Sequence, residues 1–192
     1  MVKAGFIVEG ASEKIVVESP AFKSFLAQQG YQLVTPVIDA NGGGNLLPQN
    51  IEEFVARLAK SEVEQVFILT DLEDEPSAEV VRERVAHTQV NATFVAVKAL
   101  EAWFLADTNA MNQWLKRDDF FEPQPEQTVD KPWQRLKDIA NEYESSGPGS
   151  SKPVFAKRMI KHWGFDVQNA AKHQNCRSAS ELVGYFQGGG SA

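Results

Sequence analysis

Cysteine is nearly absent from this 192-residue chain: Cys176 stands alone, which excludes an internal disulfide framework and a cysteine-built zinc site. There are only three histidines, His87, His162 and His173, and no metal-ligand spacing relates them. No apolar run approaches the ~20 residues of a membrane helix. The N-terminal run Ala4–Val8 meets Glu9 at once, too short for a signal-peptide core, so a cytoplasmic location is expected. Positive charge is in deficit, 19 Lys/Arg against 26 Asp/Glu, and the net −7 repels nucleic acid over long range. The glycine-rich stretch Asn41-Gly42-Gly43-Gly44-Asn45 lacks the lysine and spacing of a P-loop and is no dinucleotide fingerprint. No internal repeat is visible. The remainder, 43% hydrophobic and 23% charged, is ordinary for one globular domain.

What is present is an acid at the end of each of three hydrophobic runs. Phe6-Ile7-Val8 enters Glu9-Gly10, and Val66-Phe67-Ile68-Leu69-Thr70 enters Asp71-Leu72-Glu73-Asp74. Phe94-Val95-Ala96-Val97 leads through Lys98-Ala99-Leu100 to Glu101. As parallel strands of one sheet these runs would deliver their acids to its carboxyl edge, where open α/β sheets hold ligands. Carboxylates crowded there ask for a cation, and hard oxygen donors suit Mg²⁺ or Mn²⁺. The charge is also uneven. Six Lys/Arg and one acid lie between Lys152 and Arg177, +5 there against −12 elsewhere. Lys157, Arg158 and Lys161 read either as contacts to a substrate backbone or as a solvated helix face.

Strands are expected at about 3–8, 32–38, 65–70 and 92–97, with helices between them. Ser12 is expected to cap a first helix that Pro20 kinks or interrupts and Gly30 closes. A second fits 48–60 behind Pro48, and a third 77–87, opened by Ser77 with Val80, Val81 and Val85 inward. This alternation predicts a doubly wound, mostly parallel four-stranded sheet. Beyond residue 100 the pattern predicts one long helix over 99–115, a proline-bearing loop over 118–132, helix over 133–144, a flexible break at 145–151 and helix over 153–187. The chain is therefore expected to form a single domain, 1–187, with a sheet core over 1–115, a helical elaboration over 116–187 and a disordered tail, 188–192.

Each motif has a functional and a structural reading. Glu9 on a rigid strand end suits metal ligation or proton transfer beside a phosphate, or helix capping; Gly10 lets the chain turn sharply after it. Asp71 leaves its strand at the ligand edge, and Glu73 and Asp74 either join it or are solvated. Gly43 and Gly44 offer amides that could cradle a phosphate, or belong to a flexible loop. Glu101 is either a further site acid or a helix-start glutamate favoured by the dipole.

The combination resembles the Toprim domain, and more closely the DUF4276 family of Toprim-like bacterial proteins related to OLD nucleases. The residues that carry the resemblance are Val8-Glu9-Gly10-Ala11-Ser12-Glu13, Gly42-Gly43-Gly44-Asn45, Asp71-Leu72-Glu73-Asp74 and Glu101-Ala102-Trp103-Phe104-Leu105-Ala106-Asp107, with Lys152-Pro153 and Ser178-Ala179-Ser180 later. The resemblance implies a Toprim-like fold and Mg²⁺- or Mn²⁺-dependent cleavage of nucleic acid. It makes Glu9 the general acid/base or a metal ligand and gives metal to Asp71 and the acid two positions on, with Glu101 beside a second metal. It also implies a prokaryotic defence setting with an ATPase partner. Glu73 stands where most Toprim enzymes carry Asp, and Asp74 is the alternative at that role. Two rivals stay open: a non-catalytic module that keeps the fold and binds nucleotide, nucleic acid or protein, and a phosphotransfer enzyme working through Asp71.

Overall fold

Side-chain alternation along two neighbouring strands decides the layout of the first half of the chain. In the computed structural model, which describes residues 1–189, β1 (Val2–Val8) pairs in parallel with β4 (Gln65–Asp71), setting Phe6 beside Phe67 and Ile7 beside Ile68. Successive residues of a strand point to opposite faces. One face of the sheet is therefore aromatic, with Phe6 5.3 Å from Phe67, Phe67 6.1 Å from Phe94, and Phe22 edge-on to Phe6 at 5.7 Å. The other is aliphatic: Ile7 and Ile68 pack with Ile38, Leu46, Ile51, Val55 and Leu58.

The full sheet has five strands in the order β2 (Tyr31–Leu33), β1, β4, β5 (Ala92–Ala96), and β3 (Ile38–Asp39) also pairs with β1. Every ladder is parallel. The single strand expected over 32–38 is thus two short pieces on one edge of β1, parted around Pro36, whose missing N–H cannot continue a ladder. Four helices connect the strands: α1 (Ala11–Val17), α2 (Pro20–Gln28), α3 (Pro48–Ala59) and α4 (Ala78–Arg84).

Several local expectations are corrected here. The first helix breaks in two, with Pro20 opening α2 and Ser19, not Ser12, accepting from the Phe22 N–H at 3.2 Å; Ser12 is buried inside α1. Ser77 does cap α4, but Val80 is turned outward while Val81 and Val85 are buried. Gly10 has φ −158°, extended backbone open to any residue, so its turn does not require glycine.

Residues Met1–Ala96 form one compact unit and the chain from Val97 on forms a second. The second unit is helical: α5 (Glu101–Ala106), α6 (Thr108–Leu115), α7 (Pro132–Glu142), α8 (Lys152–Trp163), α9 (Val167–Ala171) and α10 (Arg177–Gly184). The long helix expected over 99–115 is split because Asp107 leaves helical geometry and accepts from the Ala110 N–H at 3.1 Å, capping α6. The core is built from Trp103, Phe104, Met111, Phe155 and Phe165, with Phe104 edge-on to Phe165 at 4.8 Å. Trp103 Nε1 donates to Ser178 Oγ at 2.8 Å, tying α5 to α10. Of the tail expected at 188–192, Gly188 ends a last turn at φ 104°, and residues 190–192 lie outside the described residues. Among the described residues no helix is long and apolar enough to cross a membrane.

Candidate functional site

The register of β1 on β4 extends one step past the strand end. Val8 faces Leu69, so Glu9 comes level with Thr70, and both lie on the aliphatic face that carries Ile7 and Ile68. Glu9 Oε2 consequently accepts from Thr70 Oγ1 at 2.5 Å and from the Asp71 N–H at 2.9 Å. Its backbone is fixed as well: the Glu9 N–H donates to Leu69 O at 3.0 Å, and Glu9 O accepts from the Gly42 N–H at 2.8 Å. Glu9 Oε1 takes no hydrogen bond from the described residues.

The glycine-rich turn closes over that second oxygen. Gly42, at φ 118°, needs glycine for its backbone, and Gly43–Asn45 makes one 3₁₀ turn. Asn45 staples the turn by donating from Nδ2 to Ala40 O at 2.8 Å. A Cβ on Gly43 would stand 3.0 Å from Glu9 Oε1, so any side chain there would press on the Glu9 carboxylate. A Cβ on Gly44 would meet nothing within 4 Å.

After Asp71 the chain turns sharply. The Leu72 N–H donates to Ala96 O at 2.8 Å, and Leu72 O accepts from the Glu75 N–H at 3.1 Å. Glu73 sits in the left-handed region at φ 51°, a conformation that costs a non-glycine residue about 1 kcal/mol or more. Asp71 is buried, while Glu73 and Asp74 are exposed.

Together these elements line a cleft of about 430 Å³ that brings together Glu9, Gly43, Gly44, Asp71, Glu73 and Asp74. Leu72, Glu75 and Arg84 complete the lining, and Arg84 Nη1 bonds Glu75 Oε1 at 2.5 Å while its buried Nε has no partner among the described residues. Five carboxylates against one guanidinium give the cleft a field that draws cations. The donors are all hard oxygens, the set that fits Mg²⁺ or Mn²⁺ and not zinc. Among the described residues no three His, Cys, Asp or Glu side chains are gathered into a metal-holding group. The lining therefore fits a cation held by one or two carboxylates and completed by water and phosphate, as Mg²⁺ commonly is, and does not fit a closed protein cage.

The other expected site residues belong to the second unit. Glu101, in the first turn of α5, is buried and 3.1 Å from Lys152 Nζ. On α8, Lys157 and Lys161 are exposed, and the Arg158 guanidinium lies over the Trp163 ring at 5.0 Å. Two residues of the site carry no clear sequence signal. Thr70, buried beneath the cleft, is the hydroxyl level with Glu9 only once the register is known; Arg84 lies on the polar face of its helix, where a guanidinium looks like solvated surface. No family model, no curated protein and no solved structure matches the chain.

Proposed function

We propose that the cleft binds Mg²⁺ or Mn²⁺ through Asp71 and either Glu73 or Asp74, with Glu9 as the proton acceptor, and hydrolyses nucleic-acid phosphodiester bonds. The observation that carries this reading is the state of Glu9. One carboxylate oxygen is clamped by a hydroxyl and an amide, and the other is left unbonded in a cleft lined by further acids. A base held in this way has fixed geometry and spare capacity for one proton. In the reaction a water oxygen bonds to phosphorus, the ester P–O bond breaks, and Glu9 Oε1 takes the water's proton before the leaving oxygen is protonated. A bound divalent cation would supply charge neutralisation on the phosphoryl oxygens. Gly43 and Gly44 would lie beside the phosphate. Lys157, Arg158 and Lys161, in the second unit, would contact nucleic-acid backbone.

The Toprim and DUF4276 resemblance supports the same assignment and adds the ATPase partner and defence setting. A second-metal role for Glu101 would require its pairing with Lys152 to open. The rival non-catalytic module is favoured by one observation, the lack of a three-acid group among the described residues. The test is cleavage of supercoiled plasmid, single-stranded DNA and structured RNA in Mg²⁺, Mn²⁺ or EDTA. Metal-dependent cutting that Asp71→Asn abolishes is the expected result. Binding that persists in EDTA, with no substrate cut in either metal, would replace hydrolysis with recognition.

A further inference from the structure

The second unit carries one aromatic ring in a setting that packing does not explain. Phe121 is 52% exposed, the most exposed Phe, Tyr or Trp side chain among the described residues. An isolated exposed apolar residue is ordinary. This one is held flat, however, at 17° to the buried His173 ring with 4.9 Å between centroids. The imidazole beneath it is fixed through both nitrogens. Nδ1 accepts from the Asn175 N–H at 3.1 Å, which leaves Nε2 to carry the proton and donate to Glu122 O at 2.9 Å. With one face covered by the imidazole, the exposure of Phe121 belongs to the opposite face and the rim.

Phe121 and His173 border a cleft of about 250 Å³ whose polar lining is Thr108, Asn109, Asn169, Lys172 and Asp107, the last with both carboxylate oxygens taken by backbone N–H groups. Asn169 is already engaged, since its Oδ1 lies 3.5 Å from Lys172 Nζ. Asn109 and Lys172 are exposed. A pinned aromatic plane, an amide and hydroxyl at its edge and one ammonium correspond to the three parts of a nucleotide: π-face, base edge and phosphate. Lys172 belongs to the segment with the +5 excess, which gives the charge complementarity a phosphate needs.

We infer that Phe121, backed by His173, is a stacking platform for a nucleobase, with Asn109 and Thr108 at the base edge and Lys172 on the phosphate. The choice of a nucleobase as occupant rests on the nucleic-acid reading proposed above. A free nucleotide and an unpaired position in a strand both present such a base, and the two sources are separable.

The test uses the full chain in EDTA, so that no cleavage can intervene. The probe is a fluorescent oligothymidylate of about 12 nucleotides, within the usual span of single-strand sites, carrying 5-iodouracil for photocrosslinking. The crosslink is expected at Phe121. Phe121→Ala should weaken binding about 5- to 150-fold, as loss of one base–aromatic stack does, and Phe121→Trp should restore it. Competition by thymidine monophosphate at comparable concentration assigns the site to free nucleotides, and competition by unlabelled strand alone assigns it to unpaired bases. Unchanged affinity of Phe121→Ala, or crosslinks only elsewhere, would overturn the platform. A Phe121 crosslink with no substrate cut in Mg²⁺ or Mn²⁺ would leave the platform standing and remove hydrolysis. Asp71-dependent cutting without the crosslink would do the reverse.

Discussion

Two glutamates, one in each unit, are held in nearly the same way and differ in what is left over. Glu9 Oε2 accepts a hydroxyl at 2.5 Å and an amide at 2.9 Å, from Thr70 and Asp71. Glu126 Oε1 accepts the hydroxyl and amide of Ser178 at 2.5 and 2.9 Å. The second oxygen decides the role. Glu126 Oε2 is used by the Arg177 N–H at 3.0 Å, so this buried carboxylate is saturated and closes the start of α10. Glu9 keeps one oxygen open at a cleft. A fully consumed acid is architecture, and a half-consumed one is available for chemistry.

The sharpest way to break this comparison is to alter both acids. Glu126→Ala strips three hydrogen bonds from the helix start and leaves the Arg177 and Ser178 N–H groups and the Ser178 O–H without their acceptor. It should cost roughly 3–5 kcal/mol of stability, read from the urea midpoint. Glu9→Gln should change stability by under about 1 kcal/mol yet reduce metal-dependent cleavage about 10²- to 10⁴-fold. If Glu9→Gln instead unfolds the protein as Glu126→Ala does, Glu9 is architecture too.

A smaller effect sharpens the same point without touching an acid. Gly43→Ala sets a methyl about 3.0 Å from Glu9 Oε1, closer than carbon and oxygen normally approach. Glu9 cannot retreat without loosening its bonds to Thr70 and Asp71. Cleavage should fall about 10-fold, the scale of ~1.4 kcal/mol, while the unfolding midpoint barely moves. Gly44→Ala meets nothing within 4 Å and serves as the control.

How much of this was legible follows the same division. The acids at strand ends were readable because strands are short apolar runs and their ends are fixed by the first charge. Thr70 and Gly43 act through register and proximity, which are properties of paired strands and not of either run alone. The split of the 32–38 strand was signalled by Pro36, and the break at Asp107 by a good capping residue inside an apolar pattern. Glu126 was invisible: it sits in an irregular, proline-rich stretch, and its partners are 51 and 52 positions away. Phe121 likewise lies in a segment readable only as loop.

Asp107 extends the comparison to a third buried acid and gives the smallest effect. Its two oxygens accept from the Ala110 N–H at 3.1 Å and the Asp166 N–H at 3.0 Å, so, as in Glu126, neither oxygen is left without a donor. Burial nevertheless outweighs those bonds and raises its pKa above the usual carboxylate value. An acid whose folded pKa is raised binds its proton more tightly in the folded chain. Its linkage contribution is fully present below the unfolded value of 3.8 and is lost as pH rises through the folded value. Asp107→Asn offers one acceptor where two are used and aims an amide at a donor, so it should cost about 1–2 kcal/mol at neutral pH. The variant has no proton to bind, so the gap to the unaltered protein should widen as the pH is lowered from 7 towards 4. Urea midpoints for both proteins across that range measure it. A gap that narrows on acidification would mean that the two amide bonds prevail over burial, and that Asp107 is held as an ordinary ionised cap.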